Sequence, residues 1–217
     1  MMLLLTLYTV NRYQSRNEEA EMKITIIGGK TGLGRHIALH FADATVLSRP
    51  VYNIATEEGR TAICNEVERS GSDVVILNSF DHSDHNAQYN MFDALWTKFN
   101  MSKITIVIIS SFGRLYADRG VGDSGFKSYC AVKKKISEDA LRRSFSDVIT
   151  AKLVVIEPCV LENNMGRSHL DGTYLSYKEF IKMIDAGLRE VEDCRAVCIT
   201  KIGQRTVSSL LKEAGLL

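Results

Sequence analysis

The stretch Met22–Ala38, MKITIIGGKTGLGRHIA, determines how the rest of the chain is interpreted. It opens with the short run Ile24–Ile27, which is β-branched throughout and typical of a buried strand. A glycine-rich segment, residues 28–34, follows. Apolar residues then recur at helical spacing, at Leu33, Ile37, Ala38 and Phe41. The order of strand, glycine turn and helix points the positive end of a helix, with its exposed N–H groups, at a phosphate.

The three glycines of this turn have separate uses. Gly28 ends the strand in a tight turn, Gly32 lets the backbone approach a pyrophosphate, and Gly34 lets the helix pack close to the strand. Their spacing is G-x-x-x-G-x-G rather than G-x-G-x-x-G. We therefore predict a dinucleotide site here; the alternative is a purely structural strand-to-helix turn. The predicted cofactor-binding residues of the turn are Gly28, Lys30, Thr31, Gly32, Leu33 and Gly34.

Strand and helix patterns alternate after this turn. Further strands are predicted at 45–48, 73–77, 104–109, 153–156 and 195–200, with helices at 88–99, 128–145, 180–191 and 207–214. This alternation predicts an α/β fold: a Rossmann-like, doubly wound parallel sheet with helices on both faces, in a single domain over residues 22–217. Residues 1–21 are expected to be an N-terminal appendage, either flexible or the product of a mis-set start.

Composition limits the classes of partner. The net charge of the 217-residue chain is +1, so we expect neither nucleic acid nor a membrane as the main partner. The five cysteines are odd in number and form no C-x-x-C pair, which favours reduced thiols in a cytoplasmic protein. The segment Asp81–His85 carries two Asp and two His. We interpret it as a polar loop at the cofactor cleft rather than a metal site, and we predict no metal.

The end of the second strand predicts the cofactor. In a dinucleotide fold, an acidic residue there selects NAD and a basic residue accommodates the 2′-phosphate of NADP. The chain has Ser48 and Arg49 at this point, and Lys30 adds a second positive charge. We therefore expect NADP(H) to be preferred, with NAD(H) possible. The alternative is that Arg49 is only a solvated surface charge.

The connection after this strand is short. Val51–Ile54 is interpreted as a short third strand, only two residues beyond the second, which leaves no room for a crossover helix. Either that helix is missing or the segment is an extended connection. A helix is then predicted from Thr56 to about Arg69, capped by Thr56 and ended by Gly71.

Three residues form the strongest candidate for chemistry. Tyr129 and Lys133 are one helical turn apart, so their side chains share a face, and a Lys cation there favours the phenolate and lowers the pKa of Tyr129. Ser111 follows a buried strand at the edge where ligands bind in such sheets. Tyr129 is thus a candidate acid/base for an alcohol or ketone, with Ser111 hydrogen-bonded to the substrate oxygen. The alternative is an unrelated surface pair.

In this order the motifs resemble those of the short-chain dehydrogenase/reductase family, from about Met22 to Thr200. The resemblance implies a catalytic set of Ser111, Tyr129, Lys133 and Asn90, with Lys133 also binding the nicotinamide ribose and Asn90 holding a water of the proton relay. It adds Asn53, Ile54, Asn78, Ser79 and Pro158 to the cofactor-binding residues, beside Ser48, Arg49, Tyr129 and Lys133. It also implies a homodimer or homotetramer.

The chain departs from the family's pattern in several places. The family's N-N-A-G is Asn78-Ser79-Phe80-Asp81, and its P-G is Pro158-Cys159. The gap from Ser111 to Tyr129 is longer than usual, and the segment Asn163–Tyr174, expected to cover the substrate, is short. We expect a divergent, shortened member: an NADP-preferring oxidoreductase for a small carbonyl or alcohol substrate. The alternatives are a non-catalytic NAD(P)-binding sensor or scaffold and, third, an epimerase or dehydratase for a nucleotide sugar.

Overall fold

Six strands form one parallel sheet in the computed structural model of the chain, which describes residues 22–120, 122–145, 149–158, 175–192 and 195–201. The sheet order is β2-β1-β3-β4-β5-β6, and every neighbouring pair is parallel. The strands are β1 (Ile24–Ile27), β2 (Thr45–Leu47), β3 (Val74–Leu77), β4 (Thr105–Ile109), β5 (Lys152–Pro158) and β6 (Ala196–Lys201). The prediction of a doubly wound parallel sheet is confirmed.

Helices cover both faces of this sheet. They are α1 (Gly32–His40), α2 (Glu57–Ser70), α3 (Ala87–Phe99), α4 (Ser124–Ser144) and α5 (Tyr177–Glu190), with a 3-10 helix at Phe112–Tyr116. One core, on the side of α2, α3 and α4, includes Ile63, Phe92 and Ile136. The other, on the side of α1 and α5, includes Ile37 and Phe180. Because both faces are covered, the central strands β1 and β3 are buried at every residue.

The strand order reverses at β1, whose neighbours are β2 on one side and β3 on the other. In open sheets of this kind, a crevice forms at such a point beyond the carboxyl ends of the strands. The glycine turn follows β1, Arg49 comes two residues after β2, and Asn78 directly follows β3. The fold therefore brings these three segments to one edge of the sheet.

The interpretation of Val51–Ile54 as a third strand, with the crossover helix missing, is wrong. This segment is a turn and bend, not a strand, and α2 is the crossover helix that connects β2 to β3. The main chain of this segment packs directly against the start of α2. A Cβ at Gly59 would lie only 2.1 Å from the carbonyl oxygen of Asn53, so only glycine allows this contact. The ends of that helix are as predicted. The Thr56 hydroxyl accepts a hydrogen bond from the N–H of Gly59 at 3.1 Å, and Gly71 ends the helix in a left-handed backbone conformation.

Two other boundaries differ from expectation. The segment after β4 forms the 3-10 helix, and α4, predicted from residue 128, begins at Ser124 and is capped by Asp123. No helix among the described residues is long and apolar enough to cross a membrane, and no group of three potential metal ligands occurs among them. The predicted appendage 1–21, the segment 163–174 and the predicted helix 207–214 lie outside the described residues.

Candidate functional site

The glycine turn has the geometry of a phosphate-binding turn. A Cβ at Gly34 would lie 1.8 Å from the carbonyl oxygen of Gly28, so α1 packs against the turn at a distance that only glycine allows. Gly32 has a φ of +52° with no atom within 4 Å of a built Cβ, which leaves open space in front of the helix. Thr31 makes no side-chain cap, and the first turn of α1 carries no acidic residue. The N–H groups there are available to an anion.

The end of β3 closes the crevice beside this turn. The Asn78 side chain donates to the carbonyl oxygen of Gly28 at 3.0 Å, and a Cβ at Gly28 would lie 2.3 Å from Ser79 Oγ. Both predicted residues therefore lie against the glycine turn. Lys30 and Thr31 are exposed in that turn, and Leu33 is half-buried.

The end of β2 carries a polar atom without a protein partner. Ser48 Oγ is buried and has no hydrogen-bond partner among the described residues. A buried hydroxyl of this kind fits a ribose or phosphate oxygen, since it otherwise forfeits a hydrogen bond. The neighbouring Arg49 is exposed, and its Nη1 lies 3.6 Å from Asp81 Oδ2. The predicted pair Ser48-Arg49 thus lies at the crevice, but its cation already faces a carboxylate.

Asn53 and Ile54 lie in the connection before α2. Asn53 Oδ1 accepts from the N–H of Ala55 at 3.2 Å, and the Ile54 side chain is buried in the core beneath the sheet. Their side chains thus have local structural uses. Contact with a cofactor at this point remains a prediction.

Ser111 and Tyr129 are brought together, although 17 residues separate them. The Ser111 hydroxyl lies close enough to the Tyr129 phenol to favour its ionised form and so to lower its pKa. Ser111 Oγ also accepts from the N–H of Gly113 at 3.0 Å, because Ser111 caps the 3-10 helix. Gly113 lies close to this pair, since a Cβ there would be 3.1 Å from Ser111 Oγ and 3.4 Å from the Tyr129 ring. The Ser and Tyr of the proposed catalytic set therefore meet at the carboxyl end of β4.

The electrostatics of Tyr129 differ from expectation. Burial raises the pKa of its phenol, and the nearby Ser111 hydroxyl opposes that increase without overcoming it. The spacing of the two residues in the sequence predicts that Lys133 lowers this pKa. That expectation is wrong for this structure, because removal from water outweighs the favourable contacts. Tyr129 is therefore a phenol, and a proton donor, at neutral pH.

Lys133 is deeply buried behind Tyr129. Its Nζ donates to Gln88 Oε1 at 2.6 Å and to the carbonyl oxygen of Ile109 at 3.0 Å, and lies 5.3 Å from the centre of the Tyr129 ring. Burial lowers the pKa of Lys133 to about 7. The amine therefore gains and loses a proton near neutral pH, unlike an ordinary lysine.

The residue of α3 that contacts Lys133 is Gln88, which the sequence did not single out; the water-holding role predicted for Asn90 in the same helix stays a prediction. Gln88 is fully buried, and its Nε2 donates to the carbonyl oxygen of Ile109 at 3.1 Å while its Oε1 accepts from Lys133. Asn90 is half-buried and makes no side-chain hydrogen bond to Lys133 among the described residues. The signal that could have identified Gln88 is a polar residue on the buried face of the first turn of α3. This signal can be recognised only once the helix is known to begin at Ala87.

Buried polar contacts fix the elements that carry these groups. The Ser110 hydroxyl contacts Ser137 Oγ at 3.0 Å and donates to the carbonyl oxygen of Lys133 at 3.3 Å, which ties the end of β4 to α4. Glu157, fully buried near the end of β5, forms an ion pair with Arg114 of the 3-10 helix. Pro158 is the last residue of β5. The segment after Ser111 is thus held against the neighbouring strand end.

Phe80 covers the inner side of the site. Its ring packs edge-on against Tyr129, with centres 5.1 Å apart, and its centre lies 5.2 Å from Lys133 Nζ. It also stacks on His85 at 5.6 Å. An aromatic side chain where the family's N-N-A-G motif has alanine therefore packs against both Tyr129 and Lys133.

Solved structures share this fold over most of the chain. An alcohol dehydrogenase from the archaeon Thermococcus sibiricus, complexed with 5-hydroxy-NADP, is 14% identical with a TM-score of 0.65, covering 86% of this chain and 99% of that one. A short-chain dehydrogenase/reductase from Vibrio parahaemolyticus is 13% identical with a TM-score of 0.63, covering 83% and 100%. The 3-alpha-hydroxysteroid dehydrogenase from Pseudomonas sp. B-0831, complexed with NADH, is 17% identical with a TM-score of 0.61, covering 82% and 95%.

No protein-family model matches the sequence, and no curated protein matches it. At 12–17% identity the structural likeness shows the fold alone. The function of this chain has therefore to be inferred from the chemistry of the site itself.

Proposed function

We propose that this chain, which has the fold of the short-chain dehydrogenase/reductases, is an oxidoreductase that transfers a hydride between NADP(H) and a small carbonyl or alcohol substrate. The observation that carries the proposal is the closeness of Ser111 and Tyr129 at the carboxyl end of β4, with Lys133 one turn further along α4. The nicotinamide complexes among the structures of the same fold support the choice of cofactor class.

The residues around the crevice fit a dinucleotide. The first turn of α1, free of acidic side chains, would hold the pyrophosphate, and the buried Ser48 hydroxyl would bind the adenosine ribose or its phosphate. Lys30 and Arg49 are the cations available for the 2′-phosphate. A bound nicotinamide supplies or accepts the hydride; the protein supplies position and a proton.

The proposed roles follow from the protonation states. Tyr129, whose pKa is raised, donates its proton to the carbonyl oxygen during reduction, while Ser111 orients that oxygen by a hydrogen bond. Lys133 either returns a proton to Tyr129 after the transfer or changes the pKa of the phenol, since the amine titrates near neutral pH. We retain the ribose contact of Lys133 and the relay role of Asn90 as proposals, with Gln88 as the group that positions Lys133.

We also propose a cytoplasmic protein that forms a homodimer or homotetramer. The buried thiols of Cys64 and Cys130, which form no disulfide, support a reducing compartment. The exposed side chains Leu141 and Phe145, at the end of α4, support association through the helix that carries Tyr129 and Lys133. Sedimentation velocity tests this; a monomer at micromolar concentration would contradict it.

The second candidate is a non-catalytic NAD(P)-binding sensor or scaffold. Two observations favour it: both hydrogen bonds of Lys133 Nζ are made within the protein, and Phe80 covers the amine. In this case the nucleotide binds but no carbonyl compound consumes it.

One experiment separates these candidates. The purified protein is titrated with NADPH and with NADH, following nicotinamide fluorescence, and then incubated with NADPH and a panel of aldehydes and ketones while absorbance is recorded. Binding with consumption of NADPH supports the oxidoreductase. Binding without consumption across the panel supports the sensor, and binding of neither nucleotide rejects both.

A further inference from the structure

Arg49 does not face the crevice alone. Its Nη1 lies 3.6 Å from Asp81 Oδ2, although Arg49 follows β2 and Asp81 follows β3. The two side chains differ in freedom, because that of Arg49 is 70% exposed and that of Asp81 only 10%. The carboxylate is thus the fixed member of the pair, and the guanidinium is the member that can turn to another anion.

The loop after β3 holds the Asp81 carboxylate in place. Its Oδ1 accepts from the hydroxyl of Ser83 at 2.6 Å, from the N–H of Ser83 at 2.8 Å and from the N–H of Asp84 at 3.4 Å. These hydrogen bonds, that of the Ser83 side chain first, keep the pKa of Asp81 below its ordinary value, so the group is charged at neutral pH. With Oδ1 engaged in the loop, Oδ2 is directed at Arg49.

We propose that Asp81 is a specificity-determining residue whose carboxylate competes with the 2′-phosphate of NADP(H) for Arg49, and so reduces the preference for NADP(H) over NAD(H). This inference rests on the proposed function. It assigns a function to Asp81, the residue that stands where the family's N-N-A-G motif has its glycine.

The competition follows from charge. The 2′-phosphate carries between one and two negative charges at neutral pH and is a strong partner for a guanidinium. To engage Arg49 it must displace the Asp81 carboxylate or lie beside it, and either costs binding free energy. The 2′-hydroxyl of NAD(H) is neutral and bears no such cost. Lys30, which has no ion pair with any described residue, leaves a residual attraction for the phosphate.

The test is the ratio of dissociation constants for NADPH and NADH, measured by nicotinamide fluorescence with the full chain. Asp81→Asn removes the charge but keeps an oxygen to accept from Ser83. NADPH should bind about three- to tenfold more tightly to this variant, and the affinity for NADH should stay within about twofold of the wild type. The gain is modest because the exposed ion pair between Arg49 and Asp81 is weak, and part of it comes from removing the repulsion between the Asp81 carboxylate and the 2′-phosphate.

Two further variants make the result specific. Asp84→Asn removes the same charge from the same loop, but Asp84 Oδ1 accepts from the N–H of Asn86 and does not face Arg49, so the ratio should stay within about twofold. In an Arg49→Gln background, Asp81→Asn should lose most of its effect, because the guanidinium contested by the two anions is gone.

The outcomes also separate this inference from the proposed function. If both nucleotides bind and Asp81→Asn leaves their ratio unchanged, the inference is wrong and the oxidoreductase proposal stands. If the variant loses NADH affinity without gaining NADPH affinity, Asp81 binds the ribose hydroxyl itself and the competition is refuted. If neither nucleotide binds the wild type or the variant, both proposals are rejected.

Discussion

At the scale of single residues, Tyr129 and Lys133 have opposite protonation tendencies for the same reason. Burial raises the pKa of the phenol and lowers that of the amine to about 7, because in each case the neutral form is the one favoured away from water. At neutral pH Tyr129 therefore keeps its phenolic proton, whereas the amine of Lys133 readily gains or loses a proton. Such an arrangement suits carbonyl reduction, in which the site must deliver a proton.

The Tyr129→Phe variant should lose catalysis but keep the cofactor. It removes the proton donor and leaves the ring, so we expect kcat to fall by about 10²–10⁴-fold. The dissociation constant for NADPH should stay within about twofold. The control is Tyr89→Phe, which removes a hydroxyl bonded to Asp139 instead and should change kcat little. Undiminished turnover by Tyr129→Phe would remove Tyr129 from the mechanism.

Lys133→Met should change how stability depends on pH. In the wild type, the unfolded chain binds more protons at Lys133 than the folded chain between the folded pKa of about 7 and the ordinary value of 10.5. The wild-type cost of burying the charge is thus complete below pH 7 and declines as pH rises to about 10.5. Relative to wild type, the variant should lose stability by on the order of 2–4 kcal/mol between pH 7 and pH 10.

Urea unfolding at several pH values measures this change. The matched control is Lys134→Met, since Lys134 is the next residue along α4 but lies at the surface, paired with Asp118 and Glu138. These partners raise its pKa, so the sign of its pH dependence is opposite and its size small. Parallel pH curves for the wild type and Lys133→Met would show that Lys133 titrates normally.

At the scale of elements, the packing of α1 on β1 depends on one missing side chain. A methyl group at Gly34 would meet the carbonyl oxygen of Gly28 at 1.8 Å, and backbone cannot yield as a flexible side chain can. Gly34→Ala should therefore lower the free energy of unfolding by more than about 2 kcal/mol and weaken nucleotide binding. Urea denaturation measures the first effect.

Gly125→Ala in α4 is the comparison for this variant. A Cβ at Gly125 meets only Asp123 Oδ1, at an ordinary 3.4 Å, and alanine is the better helix former. This variant should be neutral or more stable by up to about 1 kcal/mol. Equal stability of Gly34→Ala and wild type would mean that α1 can move away from the turn without cost.

At the scale of the whole molecule, the nucleotide should act as a folding ligand. The crevice is built from the ends of β1, β2 and β3 together with α1, so it exists only in the folded chain. At 100 times its dissociation constant, NADPH should add about 2.7 kcal/mol to the free energy of unfolding. For a chain of this size, this raises Tm by roughly 5–10 °C.

Thermal unfolding with increasing NADPH measures this shift. Tyr129→Phe should show nearly the same shift as the wild type, because it removes a single hydroxyl and leaves the glycine turn and the strand ends of the crevice unchanged. A Tm that does not respond to NADPH or NADH would argue against a nucleotide site in this crevice.

The parts of the molecule that depend on local pattern could be predicted from the sequence. Apolar runs rich in β-branched residues identified β1 and β3, and Thr56 and Gly71 marked the ends of α2 within a residue or two. The glycine turn and the spacing of Tyr129 and Lys133 are also local, so their placement on a turn and a helix needed no tertiary information. The connectivity was misread only where the short β2 made Val51–Ile54 resemble another strand.

Only the tertiary structure determined the charge states of the site residues and which side chains they contact. Whether Lys133 is charged depends on its burial against Gln88, which sits 45 residues earlier in the chain. The pairing of Arg49 with Asp81 likewise depends on two parallel strands ending at the same edge of the sheet. Desolvation and ion pairing are set by distances in space, and such distances between remote segments follow from the packing of the whole chain rather than from any local spacing.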